Sequence, residues 1–256
     1  MFQKNLNIST FLFFLIFIFF MINPSLRDKN LKVNIDNSSL FAQPMGEFQG
    51  FSSEVEKDPS GFTIARLKYG GGGDWYWGSS AIPNMLKFLK ENTNLPVDEN
   101  EVRVSIMDKE LFNYPFLFLT GHGNIKFSEE EVNRLRNYLV HGGFLFANDS
   151  YGLNKAFRRE IKKIFPEKEL VELPFNHGIY RSYYDFPNGL PKIHKHDGKP
   201  AQGFGIFHEQ RLVVFYVYES DIADGWEDPQ VHQDPPEKRE TALKMGVNII
   251  TWVLEN

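Results

Sequence analysis

The fold is decided by residues 115–150, PFLFLTGHGNIKFSEEEVNRLRNYLVHGGFLFANDS. The segment opens with the apolar run 115–120, whose lack of polar alternation is typical of a parallel strand buried on both faces. Ser128 and Glu131 then have the spacing of a capping box, which starts a helix. A pair of glycines ends that helix, and a second apolar run follows at 144–147. The stretch therefore predicts a strand–helix–strand unit with parallel strands.

The same alternation continues on both sides of this unit. Apolar runs predict further strands, and side chains at helical spacing predict further helices. The strands are expected at 62–67, 102–107, 170–173 and 212–218, and the helices at 82–91, 154–164 and 237–254. We therefore expect a three-layer α/β fold, a mostly parallel sheet flanked by helices, forming a single domain over residues 61–256.

The N-terminal part of the chain has a different character. Residues 11–22, FLFFLIFIFFMI, are all apolar, and Lys4 precedes them. This pattern is typical of a signal peptide, and it also fits a thin membrane anchor. Residues 1–22 are therefore interpreted as one or the other, and 23–60 as a tether. Either reading predicts an extracytoplasmic domain, periplasmic, secreted or anchored to the membrane.

Composition excludes several classes of function. The chain has no cysteine, which removes thiol catalysis, iron–sulfur clusters, thiolate zinc sites and disulfides. Its net charge of −5 is unlike the basic surface that neutralises a phosphate backbone, so nucleic acid is not an expected partner. No GxSxG motif is present, and the sequence therefore gives no support for a serine hydrolase.

Polar residues follow several predicted strands, where ligands collect in open α/β sheets. After the first strand, Gly72 and Gly73 leave backbone amides open to an anion, although such glycines also serve tight turns. Asp74 and Trp75 beside them combine a carboxylate with an aromatic ring, which suits a sugar, although aromatic rings also pack in cores. These four residues are candidate ligand-binding residues.

His122 and Asp149 are the candidate catalytic residues. His122 stands between two glycines after a predicted strand, a position that suits a general base, an oxyanion partner or a metal ligand. The alternative is a strand-end histidine that bonds a neighbouring carbonyl. Asp149 follows the next strand and is expected to orient His122 or to share a cation with it. It would serve equally well as the cap of the following helix.

The late part of the chain is rich in histidine and acid. Glu219 and Asp224 follow the last predicted strand and are candidate ligand-binding residues. These groups also suit a divalent metal, because imidazole and carboxylate are its usual ligands in a cysteine-free protein. The pair His194 and His196 lies among lysines, which opposes a cation. No cofactor is therefore expected, and the identity of any metal ligands stays open.

Several stretches resemble one bacterial family of domains of unknown function, DUF4159. They include RLKYGGGGDWY from Arg66, FLFLTGHGNIKFS from Phe116 and LVVFYVYESDIADGWED from Leu212. The resemblance implies a flavodoxin-like fold of the class I glutamine-amidotransferase-like group, often exported or linked to membranes. It implies no reaction, because the cysteine nucleophile of that group is absent here. Asn148 also stands where the family usually has an acid.

Two functions from different classes follow. The first is an exported or tethered domain that binds a small polar ligand, such as a sugar or cell-wall fragment, and hydrolyses it with His122 as base and Asp149 as its orienter. The second is a non-catalytic module that docks a protein partner in the cell envelope. A fold alone does not choose between them.

Overall fold

The computed structural model describes residues 61–256, which lie within a single compact unit. The predicted signal peptide or anchor and the tether lie outside the described residues. The strands are β1 (Ala65–Lys68), β2 (Val102–Ser105), β3 (Phe116–Leu119), β4 (Phe144–Asn148), β5 (Val171–Glu172), β6 (Gln202–His208) and β7 (Arg211–Tyr218). The helices are α1 (Ala81–Asn92), α2 (Glu129–Val140), α3 (Asn154–Ile164), α4 (Pro229–His232) and α5 (Pro236–Glu255). Within this part of the chain, no helix has the length and apolar character needed to span a bilayer.

The strands of the described residues form one mixed sheet in the order β2-β1-β3-β4-β7-β6-β5. The first five strands in this order, β2, β1, β3, β4 and β7, are mutually parallel. Strands β6 and β5 then continue the sheet in antiparallel pairing. The three-layer, mostly parallel α/β fold predicted from the sequence is confirmed.

Alternate residues of the central strands build two separate cores. Phe118 and Phe146 face one side, where they pack with Trp226 and with the apolar faces of α1 and α5. Leu117 and Leu145 face the other side and pack against α2 and α3. Because both sheet faces are covered, these strands need apolar residues at every position, and this explains the uninterrupted apolar runs in the sequence.

Most predicted elements are present with small shifts in their bounds. Helix α2 begins after Ser128, whose hydroxyl accepts from the Glu131 amide at 3.2 Å while the Glu131 carboxylate accepts from the Ser128 amide at 2.8 Å. The capping box is thus confirmed. Strand β1 begins three residues later than predicted, at Ala65. Strand β6 and the short helix α4 are additions that the sequence pattern did not indicate.

Strand β6 runs antiparallel to β7, and this direction decides which segments reach the edge of the sheet where the parallel strands end. Gln202, at the start of β6, pairs with Tyr218, at the end of β7. The segment that precedes β6 therefore lies at the same edge as the carboxyl ends of the parallel strands. This segment contains His194 and His196. The sheet edge thus receives side chains from a loop that enters a strand, in addition to the loops that leave β1, β3, β4 and β7.

Candidate functional site

The loops after β1 and β3 are joined to each other through their backbones. The Gly73 amide donates to the Asn124 carbonyl at 3.0 Å, and the Asp74 amide donates to the His122 carbonyl at 3.3 Å. The Gly73 amide, which the sequence left open to an anion, is therefore used within the protein. Gly72 lies exposed with a φ of +91°, which is typical of a turn glycine. The indole of Trp75 packs against the core on the α2 and α3 side.

His122 is held by Asp74. Its ring Nδ1 lies 3.1 Å from Asp74 Oδ2, and its backbone amide donates to the other oxygen of the same carboxylate. The Trp77 ring packs edge-on at 4.9 Å between centroids. The His122 side chain is 38% exposed. The structure therefore pairs His122 with Asp74, and Asp149 bonds different partners.

Asp149 is a buried carboxylate at the end of β4. Its Oδ2 accepts from the Glu219 amide at 3.2 Å. Its Oδ1 accepts no hydrogen bond among the described residues, because the neighbouring Tyr216 hydroxyl donates to Asn154 at 3.1 Å. Burial raises the pKa of Asp149 to about 6. Helix α3 begins at Asn154 with Leu153 as its N-cap, so Asp149 does not cap that helix. A carboxyl group that titrates close to neutral pH suits general acid–base chemistry.

His196 lies between two carboxylates. Its Nε2 is 3.0 Å from Asp221 Oδ2, and its Nδ1 is 3.9 Å from Asp149 Oδ2. Burial alone would lower the pKa of His196, but the hydrogen bond to Asp221 and the nearby negative charges raise it. In the sequence this histidine lies in a lysine-rich loop, and no pattern connects it with Asp149. The signal that could have found it is the pair of histidines two residues apart just before a strand.

A buried polar network supports this pair. The Asn148 side-chain amide donates to Asp221 Oδ1 at 2.8 Å, and its carbonyl accepts from the Ala223 amide at 3.1 Å. Asn148 therefore holds Asp221 in place and anchors the 3₁₀ turn Ile222–Trp226. The asparagine that stands in place of an acid in the resembled family thus has a structural role in this chain.

Two of the five non-glycine residues with positive φ among the described residues lie at the same place. Glu219 and Asp221 both have positive φ values, +60° and +54°, which non-glycine residues adopt at a cost of roughly 1–3 kcal/mol each. Both lie just after β7, at the edge of the sheet where the parallel strands end. Such strain persists only where surrounding contacts enforce it, and it clusters at functional sites.

A cleft of about 310 Å³ opens above Asp149 and His196. Tyr151 and Lys155 contribute to its wall, and the Tyr151 ring packs edge-on against His196. Glu219 also reaches the cleft, but its two oxygens accept from Lys192 at 2.7 Å and from the Asp197 amide at 3.0 Å. Glu219 therefore fixes the histidine loop, and it neutralises a lysine that sequence analysis counted against a cation.

Asp224 belongs to a second cluster nearby. Its Oδ2 lies 2.8 Å from His194 Nδ1, and the hydrogen bond between them raises the pKa of His194 to about 9. His232 and Asp234 complete this group. The predicted site residues thus fall into three groups: the Asp74–His122 pair, the cleft with Asp149 and Glu219, and the Asp224 cluster.

The fold and these polar groups define an α/β domain with a cleft, lined by a buried carboxyl group and a histidine, at the carboxyl edge of its sheet. The family described as a domain of unknown function, DUF4159, matches residues 63–254, and the chain belongs to that family. No curated protein matches the chain.

Proposed function

We propose that this chain is an extracytoplasmic hydrolase that binds a small polar ligand in the cleft above Asp149 and His196. The proposal rests mainly on the environment of Asp149. It is a buried carboxyl group at the end of a parallel strand, its pKa is raised to about 6, and one of its oxygens is unpartnered among the described residues. Maintaining such a group is costly to a fold, and functional sites are where such groups concentrate.

The geometry supports a division of labour between Asp149 and His196. Ionised Asp149 would accept a proton from an attacking water as the water oxygen bonds the substrate. His196, whose pKa the neighbouring carboxylates raise, would donate a proton to the leaving oxygen or nitrogen. The net reaction is addition of water across one bond, and it needs no cysteine. This assignment replaces His122 by His196, because His196 is the histidine that faces Asp149.

The cleft wall indicates the class of ligand. Tyr151 is 60% exposed and offers a ring face, and Lys155 is exposed on the next turn. Lys199 lies nearby, where its ammonium donates to the Tyr218 hydroxyl at 2.9 Å. Lys199 is also paired with Asp197 at 3.8 Å, so Lys155 is the lysine that lines the cleft. An exposed ring beside the Lys155 ammonium suits a sugar that carries a carboxylate. Such a ligand is compatible with a cell-wall fragment and with the export that the N-terminal sequence predicts.

A matched pair of sugars, one with a carboxylate and one without, tests this proposal in the full-length chain. We expect glucuronic acid to raise the midpoint of thermal unfolding more than glucose does, and Lys155→Ala to remove the difference. We expect a nitrophenyl glucuronide, or muropeptides from purified cell wall, to be hydrolysed by the wild type. Asp149→Asn should lower kcat by roughly 100-fold or more while the ligand-induced thermal shift persists.

His122→Ala is the matched control, since its ring bonds Asp74 outside the cleft group. Hydrolysis that is lost in His122→Ala but kept in Asp149→Asn would contradict the assignment. It would favour the Asp74–His122 pair as the acid–base centre.

A docking module is the alternative, and one observation favours it. Tyr76 and Trp77 are 59% and 39% exposed beside His122, and exposed aromatic residues are enriched at protein interfaces. In that case Trp77→Ala would abolish capture of an envelope partner, and Asp149→Asn would leave capture unchanged. The absence of a cysteine nucleophile and the resemblance to amidotransferase-like folds are compatible with both functions.

A further inference from the structure

A second group of ionisable side chains lies next to the cleft and is not used in the proposed hydrolysis. His194 comes from the loop before β6, Asp224 from the 3₁₀ turn Ile222–Trp226, and His232 from the end of α4. Each offers one ligand atom, and these atoms all lie within 4.8 Å of one another. Three separate segments of the chain thus place two imidazoles and a carboxylate at one point.

The spacing of these atoms fits a metal ion. His194 Nδ1 lies 2.8 Å from Asp224 Oδ2, and His232 Nε2 lies 3.5 Å from the same oxygen. Ligands bound to zinc at about 2.0–2.2 Å in a tetrahedral arrangement are separated by roughly 3.3 Å. The two observed distances lie on either side of that value. The two imidazole rings meet at an angle of 62° with centroids 4.7 Å apart, so they converge without stacking.

His232 supplies an independent observation. Its Nε2 is fully buried, yet it makes no hydrogen bond to any of the described residues. The 3.5 Å separation from Asp224 is too long for a good hydrogen bond. Buried imidazole nitrogens normally have a partner. A metal ion between His232, Asp224 and His194 would supply it.

Asp234 has the position of a supporting group. Its Oδ2 lies 3.0 Å from His194 Nε2, the ring nitrogen that faces away from Asp224. Its other oxygen accepts from Lys238 at 2.9 Å. Metal-binding histidines commonly donate their second ring nitrogen to a carboxylate in this way, which fixes the tautomer and orients the ring.

We propose that His194 Nδ1, Asp224 Oδ2 and His232 Nε2 bind a divalent transition metal ion, with Asp234 orienting His194. Two imidazoles and one carboxylate favour zinc and its first-row neighbours over magnesium or calcium, which prefer oxygen ligands. Two lysines close to the site, one in this loop and one in α5, are neutralised by carboxylates. Lys192 is paired with Glu219, and Lys238 with Asp234.

Zinc titration of the full-length chain tests the site. The protein is stripped with a chelator and then titrated with Zn²⁺ by calorimetry, and Co²⁺ is used to report the ligand set by visible absorption. We expect one equivalent to bind the wild type, and zinc to raise its thermal unfolding midpoint. His232→Ala and Asp224→Asn should each weaken binding by more than about 100-fold. Asp234→Asn should weaken it by about 10- to 100-fold, as losing a supporting carboxylate does.

His196→Ala is the matched control, because it removes the neighbouring histidine of the same loop and leaves the three ligands intact. Its zinc affinity should equal that of the wild type. The proposal is overturned if the wild type binds no zinc, or if His232→Ala binds as tightly as the wild type. It is equally overturned if His196→Ala loses the ion. Should Asp224→Asn fail to fold, His232→Gln at the end of the short helix α4 carries the same test.

Discussion

At the scale of single residues, two neighbouring buried carboxylates behave in opposite ways. Asp149 has one oxygen without a hydrogen-bond partner among the described residues, and burial raises its pKa to about 6. Burial also acts to raise the pKa of Glu219, but Lys192 and the Asp197 amide hold it below its usual range. The Asp149 carboxyl group is left free to contact a ligand, at a cost in the free energy of folding. The Glu219 carboxylate instead holds the loop that contains His194 and His196.

Asp149→Asn is expected to stabilise the protein at neutral pH. The pKa of Asp149 rises from 3.8 to about 6 on folding, so its contribution to stability is complete below pH 4 and is lost as pH rises through 6. A shift of two pKa units corresponds to about 3 kcal/mol, which is the upper limit for the increase in the free energy of unfolding of the variant at pH 7.5. Urea unfolding at several pH values measures it. The gain should disappear at pH 4, and a constant gain would contradict the raised pKa.

Glu219→Gln is expected to have the opposite effect. Because the pKa of Glu219 is lowered, its stabilisation is present above the pKa of the unfolded state and is lost as pH falls through the folded-state value. Removing one partner of a fully buried ion pair costs about 3–5 kcal/mol, and the cost here is smaller because the remaining Lys192 side chain is 31% exposed. The same urea series should therefore show destabilisation at pH 7.5 that shrinks in acid. Equal stability of variant and wild type at pH 7.5 would contradict this role.

Single residues of the site were only partly predictable. Asp149, Glu219 and Asp224 were identified because acids that directly follow strands gather at one edge of a parallel sheet. The partners His194 and His196 were not, because they lie in a loop that enters β6 and their positions depend on its antiparallel direction. Nearby lysines in the sequence also suggested a positive environment. The structure shows that Glu219 neutralises Lys192.

At the scale of elements, the junction of the β1 and β3 loops depends on a close approach. Gly121 has a φ of +123°, and a Cβ on it would lie 2.5 Å from the Tyr69 hydroxyl and 2.8 Å from the Asp74 carbonyl oxygen. No side chain fits there without moving one of the loops. The position of His122, one residue later, therefore depends on this glycine.

Gly121→Ala is expected to destabilise the protein more than Gly142→Ala does. Gly142 has a similar φ of +115°, but a Cβ on it would meet no atom within 4 Å. Both variants carry backbone strain of roughly 1–3 kcal/mol. Only the first adds overpacking, which costs roughly another 1–3 kcal/mol. Thermal unfolding of the two variants measures the difference in stability. Equal losses of stability would contradict the close packing of the two loops.

A buried arginine ties β1 to the loop that follows it. Arg66 donates to the Trp77 and Gly78 carbonyls at 2.6 and 2.8 Å and pairs with Glu101 at 2.9 Å. Its side chain is fully buried. The exposed tip of this loop, with Tyr76 and Trp77, is therefore held from beneath by one side chain.

Arg66→Ala should cost about 3–5 kcal/mol, because it leaves Glu101 and two carbonyls without a buried donor. Arg103→Ala is the matched control, since Arg103 bonds the same Glu101 oxygen at 2.7 Å from a half-exposed position. A surface pair of this kind contributes about 0–1 kcal/mol. Chemical denaturation of both variants compares them, and a larger loss in Arg103→Ala would contradict this account.

Elements were predicted well where one physical rule dominates. The central strands were found because burial on both faces demands unbroken apolar runs, and α2 was found from its capping box. Strand β6 was missed because Gly203 and Gly205 interrupt its pattern. A Cβ at Gly205 would lie 2.5 Å from Leu212 Cδ1, so close packing against β7 requires these glycines. Such a requirement is visible only once the partner strand is known.

At the scale of the whole molecule, export is the prediction that the described residues do not address. We expect residues 1–60, fused to a reporter that is active only outside the cytoplasm, to give full reporter activity. Leu15→Arg, in the middle of the apolar run, should abolish it, because a central charge costs about 2.5–3.5 kcal/mol in membrane insertion. Ser53→Arg, outside the run, should have no effect. The size of the exported product separates a cleaved peptide from an anchor.

The position of β7 has a consequence for biosynthesis. Strand β4 is paired on one side by β3, but its other edge is completed only by β7, which follows much later in the chain. A nascent chain, emerging from the ribosome or threading through a translocation channel, therefore presents an apolar, unpaired edge until residue 218 has followed. Unpaired edges of this kind recruit other chains into aggregates. Chaperone protection during that interval is the expected requirement, and arrest before residue 211 should leave an insoluble product.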